Sequence, residues 1–214
     1  MKENDKGYWC ASVVSTVHSV ILTILAVHVL QSDPEILRSD DIFYKSELSR
    51  RVIGIFVGYI SSDLALALYF RSRWTGWLAN MIHHTSVLSV FAQFYFLNFG
   101  HYFASVSHFC ELTTPFVNQR WFFYESNMKY SRIYRYNGIL LTALWFLTRI
   151  LLYTYAGFQM LYTYDQWLTL GYIRFAMVFC CYFIGLFLQY FWFSKIIRGA
   201  IKALRDTSNK KKTQ

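Results

Sequence analysis

Six long apolar segments dominate the sequence and constrain its fold. They lie at 10–30, 52–70, 77–97, 100–117, 136–158 and 168–193. Each is close to the length of about 20 residues with which a helix crosses about 30 Å of hydrocarbon. Continuous apolar runs favour helices over the short alternating strands of a membrane barrel. The sequence therefore predicts an all-α, multi-pass transmembrane bundle of about six helices.

The composition agrees with a chain whose solvent is mostly lipid. Hydrophobic residues make up 55% and charged residues 15% of the 214 positions, whereas soluble domains carry about 25% charged residues. The net charge is +9, and the basic residues lie between the apolar runs and in the C-terminal tail. No soluble domain is predicted that could present a nucleic-acid-binding face. Nucleic acid is therefore excluded as a partner.

The basic residues indicate the topology. With six spans, fifteen of the 21 Lys and Arg residues fall on the side of both termini, and the opposite side receives only Arg38, Lys45, Arg50 and Arg51. The positive-inside rule then places both termini in the cytosol. We expect a short cytosolic N-terminus at 1–9, one membrane domain at 10–193 and a basic cytosolic tail at 194–214. Aromatic residues Tyr162, Tyr164 and Trp167 are expected at the lumenal boundary.

The C-terminal tail carries a candidate sorting signal. It ends in Lys-Lys-Lys-Thr-Gln, which puts Lys211 and Lys212 in the dilysine positions associated with retrieval to the endoplasmic reticulum. This predicts an endoplasmic reticulum membrane location. The alternative is a basic juxtamembrane tail attracted to anionic lipid.

Ionisable residues inside the spans are candidate functional residues, because each costs at least about 2.5 kcal/mol to insert. A rise of 1.5 Å per residue puts His18, Asp63, His84 and Glu111 roughly 8 to 12 Å from the cytosolic ends of four spans. We therefore expect one polar layer on the cytosolic side. By the same count, Arg149 and Arg174 fall in the lumenal half, too far to pair with this layer.

The third and fourth spans show how the layer is built. Only the turn 98–99 separates them, so they are expected to be an antiparallel hairpin and direct neighbours. On the fourth span His101, His108, Glu111 and Pro115 share a face. Pro115 cannot donate to the carbonyl of Glu111, which predicts a free acceptor there. Consecutive residues His83 and His84 point about 100° apart, so one of them is expected to face the pocket.

Three uses of such a layer remain open. A histidine oriented by a carboxylate can act as a general base or carry an acyl group, which suits acyl transfer from acyl-CoA. A metal site needs more closely spaced ligands than six scattered histidines provide, and no bound cofactor is expected. The third use is structural, with side chains that bond across helices. A channel or transporter is less favoured, because no broken-helix pair or repeat occurs.

Four segments make the sequence recognisable: VVSTVHS at 13–19, RVIGIFVGYISSDLALAL at 51–68, MIHHT at 81–85 and ELTTPFVNQRWFF at 111–123. Together they resemble the TLC domain family, to which the ceramide synthases belong, over nearly the whole chain. Members of this type usually carry another hydrophobic helix before the first segment, so the resemblance predicts a shortened form or an incomplete gene model.

The resemblance implies a partly retained catalytic motif. In ceramide synthases two histidines precede an Asn, a His-Asp pair and a further Asp; His83, His84 and Asn98 match the first half. The second half differs, with Cys110, Glu111 and Thr114 in place of the later His and the two Asp residues. The resemblance therefore implies an altered acyl-transfer site rather than a complete ceramide synthase.

The residues assigned to the site follow from the layer and the resemblance together. Candidate catalytic residues are His83, His84 and Glu111, and candidate substrate-binding residues are His18, Asp63, Asn98, His108, Asn118 and Arg120. Arg120 is expected at the cytosolic mouth, either on a lipid or CoA phosphate or as a topology anchor. We expect a protein of lipid homeostasis that binds and transfers a fatty acyl chain. The rival is a non-catalytic protein that acts through lipid or protein contacts.

Overall fold

The structure, a computed structural model, describes residues 3–70, 74, 76–129 and 131–212, without the side chains of 3–5 and 202–212. The described chain is almost entirely helical and contains no strand, which confirms the all-α prediction. Its α-helices are α1 (Glu3–Ser32), α2 (Glu35–Arg38), α3 (Glu47–Tyr69), α4 (Trp77–Leu97), α5 (His101–Cys110), α6 (Thr114–Glu125), α7 (Arg132–Trp145), α8 (Tyr153–Tyr162), α9 (Tyr164–Leu168) and α10 (Tyr172–Lys212).

Six helical runs form the bundle. A 3₁₀ turn at Glu111–Thr113 joins α5 to α6, and a π-helical segment at Phe146–Leu152 joins α7 to α8. Four runs have the length and composition to cross a membrane: α1, α3, α7 with α8, and α10. The other two runs are not among these four candidate spans. They are α4, which carries His83 and His84, and the fourth run, which its 3₁₀ turn interrupts.

The runs pack as a ring. Going round it, α1 packs on α3, α3 on α4, α4 on α10, α10 on α7, α7 on α6, and α6 back on α1. The third and fourth runs are therefore not neighbours, and α4 and α5 touch only sparingly. The predicted hairpin turn is present, but the prediction that its two helices pack side by side was wrong. A ring of six helices encloses space along its axis, and these two lie on either side of that space.

One end of the ring, the closed end, is filled with side chains. The turn between α4 and α5 has left-handed backbone at Asn98 (φ 53°) and Gly100 (φ 73°), and the Gly100 N–H donates to the Ile42 carbonyl at 2.8 Å. Gln166 accepts from the Ile42 N–H and donates to the Asp40 carbonyl, both at 2.9 Å. The loop before α3 is thereby fixed across the end of the bundle.

Trp167 completes the closed end. Its side chain is 0% exposed, packs against the rings of Phe94, Phe99 and Phe103, and donates from Nε1 to Thr163 Oγ1 at 2.9 Å. Trp167 thus packs inside the bundle and does not face outward, and its place at the lumenal boundary stays a prediction. Tyr162 and Tyr164 are exposed.

The 3₁₀ turn before Pro115 corrects another expectation. Pro115 lies at the start of α6, and the Thr114 N–H donates to the Glu111 carbonyl. The carbonyl that the proline would have left free is therefore satisfied by the tighter turn. Glu111 sits on the first residue of this turn, where the fourth run changes from α5 to α6.

The opposite end, the open end, brings both chain ends together. Tyr8 near the start of α1 and Lys195 on α10 line the same chamber, which agrees with termini on one side of a six-run bundle. The dilysine pair Lys211 and Lys212 has side chains outside the described residues. Arg71 and Arg73, counted in the topology argument, also lie outside them.

Candidate functional site

A chamber of about 420 Å³ occupies the axis of the ring at the open end. All six helical runs contribute residues to its wall. Six of the nine predicted site residues line it: Asp63, His83, His84, Glu111, Asn118 and Arg120. Because these residues come from three separate helical runs, only the folded ring assembles them.

His84 on α4 and Asp63 on α3 form the first pair of ionisable side chains in the chamber. His84 Nε2 lies 3.3 Å from Asp63 Oδ2, and both side chains are less than one fifth exposed. A proton on Nε2 would face the carboxylate and would leave Nδ1 as the acceptor. Among the described residues, Nδ1 has no hydrogen-bond partner. The pair therefore has the arrangement of a base oriented by a carboxylate.

His83 also lines the chamber, so both adjacent histidines face it. Its ring lies 5.4 Å from the Trp192 ring, nearly perpendicular to it, and 5.5 Å from the His84 ring. Nδ1 of His83 is buried and has no partner in the described part of the chain. Since buried polar atoms are normally paired, this nitrogen is a candidate contact for a ligand.

Glu111 and Arg149 form the second pair of ionisable side chains. Arg149 is 5% exposed, and its Nη2 lies 3.7 Å from Glu111 Oε1. The Glu111 carboxylate also accepts a bond from Thr114 Oγ1 at 2.9 Å. The expectation that Arg149 lies too far away to pair with the layer was wrong. Arg174, in contrast, is exposed at the start of α10.

The depth count failed because it ended the fourth span too early. The helix continues through α6 to Glu125, so Glu111 lies fourteen residues, about 21 Å, from the end of its run. Arg149 lies seventeen residues, about 26 Å, from the start of α7. The two side chains are thus at similar depth, and the length of the arginine side chain completes the contact.

Four neighbours hold the Arg149 guanidinium. Nε donates to Thr113 Oγ1 at 2.6 Å, Nη1 to Gln189 Oε1 at 3.3 Å, and Nη2 to Thr114 Oγ1 at 3.3 Å. The guanidinium carbon lies 4.6 Å from the centre of the Trp145 ring. Arg149 belongs to the π-helical segment, and such segments frequently occur at functional sites. The charge of Arg149 was visible in the sequence, but its partners were not.

A second cavity, about 80 Å³, continues from the chamber toward the closed end. Its wall is largely apolar and comes mainly from α4, α5, α8 and α10. It lies between the two helices that the sequence predicted to be in direct contact. Four residues line both spaces: Phe56, His83, Glu111 and Arg149. We call this set the junction.

Three predicted site residues lie outside both cavities. His18 stacks on the Tyr59 ring at 3.7 Å. His108 is 2% exposed and packs against Phe56 and Phe91. Asn98 ends α4 at the closed end, where its Oδ1 lies 3.1 Å from His101 Nε2. The structure therefore does not bring Asn98 together with His83 and His84.

The side chains of Asn118 and Arg120 each contact other residues of the chain. Asn118 Nδ2 donates to the Ser12 carbonyl at 3.1 Å and to Thr16 Oγ1 at 3.0 Å, which ties α6 to α1. The Arg120 guanidinium lies 4.0 Å from the centre of the Tyr134 ring. Both residues still face the chamber. No group of three or more His, Cys, Asp or Glu residues within the described ranges could hold a metal ion.

The sequence profile of the TLC domain matches residues 8–198. The chain belongs to the TLC domain family. The profile covers both cavities of this TLC domain, including every residue of the junction. No solved structure matches the chain significantly.

Two curated relatives match the TLC domain over nearly the whole chain. TLC domain-containing protein 4 of Homo sapiens is 30% identical over 95% of this chain and 78% of its own length. TLC domain-containing protein 4-B of Danio rerio is 32% identical over 94% of this chain and 76% of its own length. The chain is therefore a multi-pass membrane protein of this family, and its chemistry has to be argued from the cavities.

Proposed function

We propose that this TLC domain protein acts in lipid homeostasis in the endoplasmic reticulum membrane, where it binds a fatty acyl chain inside its bundle and transfers it. The observation that carries the proposal is the junction, where a polar chamber continues into an apolar cavity. An acyl lipid has the same two parts. Its chain enters the apolar cavity, which at about 80 Å³ has to widen between α4 and α5 to take the whole chain, and its polar carbonyl end then lies at His83, Glu111 and Arg149.

The His84–Asp63 pair supplies the chemistry for transfer from an acyl thioester such as acyl-CoA. His84 Nδ1 takes the proton from an attacking hydroxyl or amine as that group bonds to the thioester carbonyl carbon. The carbon–sulfur bond then breaks, and the leaving thiolate takes up the proton. Asp63 holds the Nε2 proton and stabilises the charged ring, which is the usual role of a carboxylate beside a catalytic histidine.

Binding is tested by filling the apolar cavity. Val90 on α4 lines the cavity, whereas Ile82 on the same helix is 43% exposed on the outer face. Val90→Phe adds a ring inside the cavity and Ile82→Phe adds one outside. We expect lipid extraction and mass spectrometry of the purified protein to show an acyl lipid in the wild type and in Ile82→Phe but a loss of most of it in Val90→Phe. Equal lipid content in all three would contradict the proposal.

Transfer is tested by release of the CoA thiol from acyl-CoA. A positioned acid or base contributes about 10²- to 10⁴-fold, so we expect His84→Ala to lose at least about a hundredfold of the rate while it retains the bound lipid. His28→Ala, a change at an exposed histidine on α1, should leave the rate unchanged.

A second candidate function is non-catalytic lipid binding, favoured by one contact. Glu111, which stands where ceramide synthases carry an Asp, is engaged with Thr114 and paired with Arg149 and so is not free to assist a histidine. If the wild type contains bound lipid but releases no thiol from acyl-CoA, the non-catalytic function is supported and the transfer function is contradicted.

A further inference from the structure

We infer that Arg149 recognises the carboxylate of a free fatty acid, so that the site binds a single-chain lipid with a negatively charged end in addition to the neutral acyl thioester of the transfer step. This inference rests on the proposed function for the place of the acyl chain. It adds the charge of the ligand and the residue that recognises it, neither of which follows from the acyl chain itself.

The first argument is the incomplete pairing of a buried cation. An ionised side chain away from water needs a counter-charge with good hydrogen bonds. Arg149 donates only to neutral oxygens, those of Thr113, Thr114 and Gln189. Its nearest carboxylate oxygen among the described residues is 3.7 Å away, too long for a hydrogen bond. The guanidinium has five N–H groups, so two of them remain for a ligand.

The second argument is the position of this cation. Arg149 lies at the junction, so one side of it faces the polar chamber and the other the apolar cavity. A ligand whose chain fills the apolar cavity therefore ends at the guanidinium. The planar guanidinium matches a carboxylate through two parallel hydrogen bonds.

The third argument is the rival carboxylate. Glu111 is itself attracted to Arg149 and repels a second carboxylate that enters the junction. The bond from Thr114 Oγ1 holds Glu111 in an ion pair with the guanidinium but outside hydrogen-bond distance of it. A fatty acid therefore competes with Glu111 for the free N–H groups, and removal of the Glu111 charge should strengthen binding.

The test is the binding of radiolabelled palmitate to the purified full-length protein, with methyl palmitate and hexadecyl phosphate as competitors. Methyl palmitate has the same chain without the charge, and hexadecyl phosphate carries a different anion. We expect palmitate to bind the wild type about tenfold more tightly than methyl palmitate, which corresponds to one charged hydrogen-bonded contact. Hexadecyl phosphate should bind more weakly than palmitate, because the Glu111 carboxylate at the junction repels its larger negative charge more strongly.

Three variants separate recognition by Arg149 from other effects. Arg149→Gln should remove the preference for the acid. Glu111→Gln, which keeps an acceptor for Thr114, should tighten palmitate binding about threefold or more and leave the ester unchanged. An increase in affinity cannot come from misfolding, so this variant keeps the test valid if Arg149→Gln does not fold. Lys195→Gln changes another cation of the chamber, one that lies 4.2 Å from the Phe191 ring, and should leave the preference intact.

The outcomes also separate this inference from the proposed function. Equal binding of acid and ester to the wild type would overturn the recognition of charge but leave an acyl-binding site. Equal or tighter binding of hexadecyl phosphate would overturn the preference for a carboxylate. Loss of the preference for palmitate in Lys195→Gln would overturn the claim that Arg149 is the residue that recognises it. Binding of none of these lipids would overturn the proposed function as well.

Discussion

His101 shows that a polar residue in a span need not belong to the functional site. It is 2% exposed and lies between Ser49 Oγ, 2.9 Å from Nδ1, and Asn98 Oδ1, 3.1 Å from Nε2. Both ring nitrogens are therefore satisfied. At the chamber, by contrast, His83 and His84 each keep one nitrogen that has no partner in the described chain. His18 and His108 also keep such a nitrogen although they line neither cavity, so it is their position on the chamber wall that makes His83 and His84 candidate ligand contacts.

His101→Ala should destabilise the protein without removing bound lipid. The change leaves the hydroxyl of Ser49 and the amide of Asn98 without their buried partner, which costs about 2 to 3 kcal/mol. We expect a lower melting temperature in detergent and an unchanged lipid content by mass spectrometry. His28→Ala on exposed α1 surface is the control. A loss of lipid at full thermal stability would place His101 in the site instead.

At the scale of elements, the turn between α4 and α5 depends on Gly100. Its φ of 73° is costly for other residues, and an added Cβ would lie 2.7 Å from the ring of Phe94. Gly58 in α3 has open space at the same position. The two glycines therefore have opposite roles, one required by the backbone and one not.

Gly100→Ala should destabilise the protein by about 2 kcal/mol or more. Gly58→Ala should be neutral or stabilise it by up to about 1 kcal/mol, because alanine favours the helix. Thermal unfolding of both variants in the same detergent measures the difference. Similar melting temperatures for the two would show that the turn does not have the strained backbone described above.

The elements also show what could be read from the sequence. Apolar runs of membrane length gave six spans close to the observed helices, because lipid requires continuous helices. Asp63, His84 and Glu111 line one chamber as expected, although the fourth run ends at Glu125, later than the depth count assumed for Glu111. Arg149 was missed, because its partner depends on the order of helices round the ring and on where α6 ends. A hydropathy pattern predicts neither the order of the helices round the ring nor the cavity between α4 and α5.

At the scale of the whole molecule, the ring of helices gives the two ends different properties. The open end presents the chamber with Tyr8 and Lys195. The closed end is blocked by Trp167 and by the loop that Gln166 holds. The proposed function therefore requires a lipid to enter from the side of the chain termini, which the positive-inside rule predicts to be the cytosol.

Epitope tags at both termini should be accessible when only the plasma membrane is permeabilised, because both termini are predicted to be cytosolic. A tag in the loop between α2 and α3 should become accessible only after all membranes are dissolved. Immunofluorescence under the two conditions, with an endoplasmic reticulum marker, tests side and location together. Early staining of the loop tag would reverse the assigned orientation.

The central claim is that one acyl chain lies in the apolar cavity with its polar end at the junction. An experimental density map of the purified protein at side-chain detail tests this directly. We expect one elongated density between α4 and α5 that ends within hydrogen-bond distance of the Arg149 guanidinium. A cavity closed by contact between α4 and α5, or a lipid density that ends away from Arg149, would contradict it.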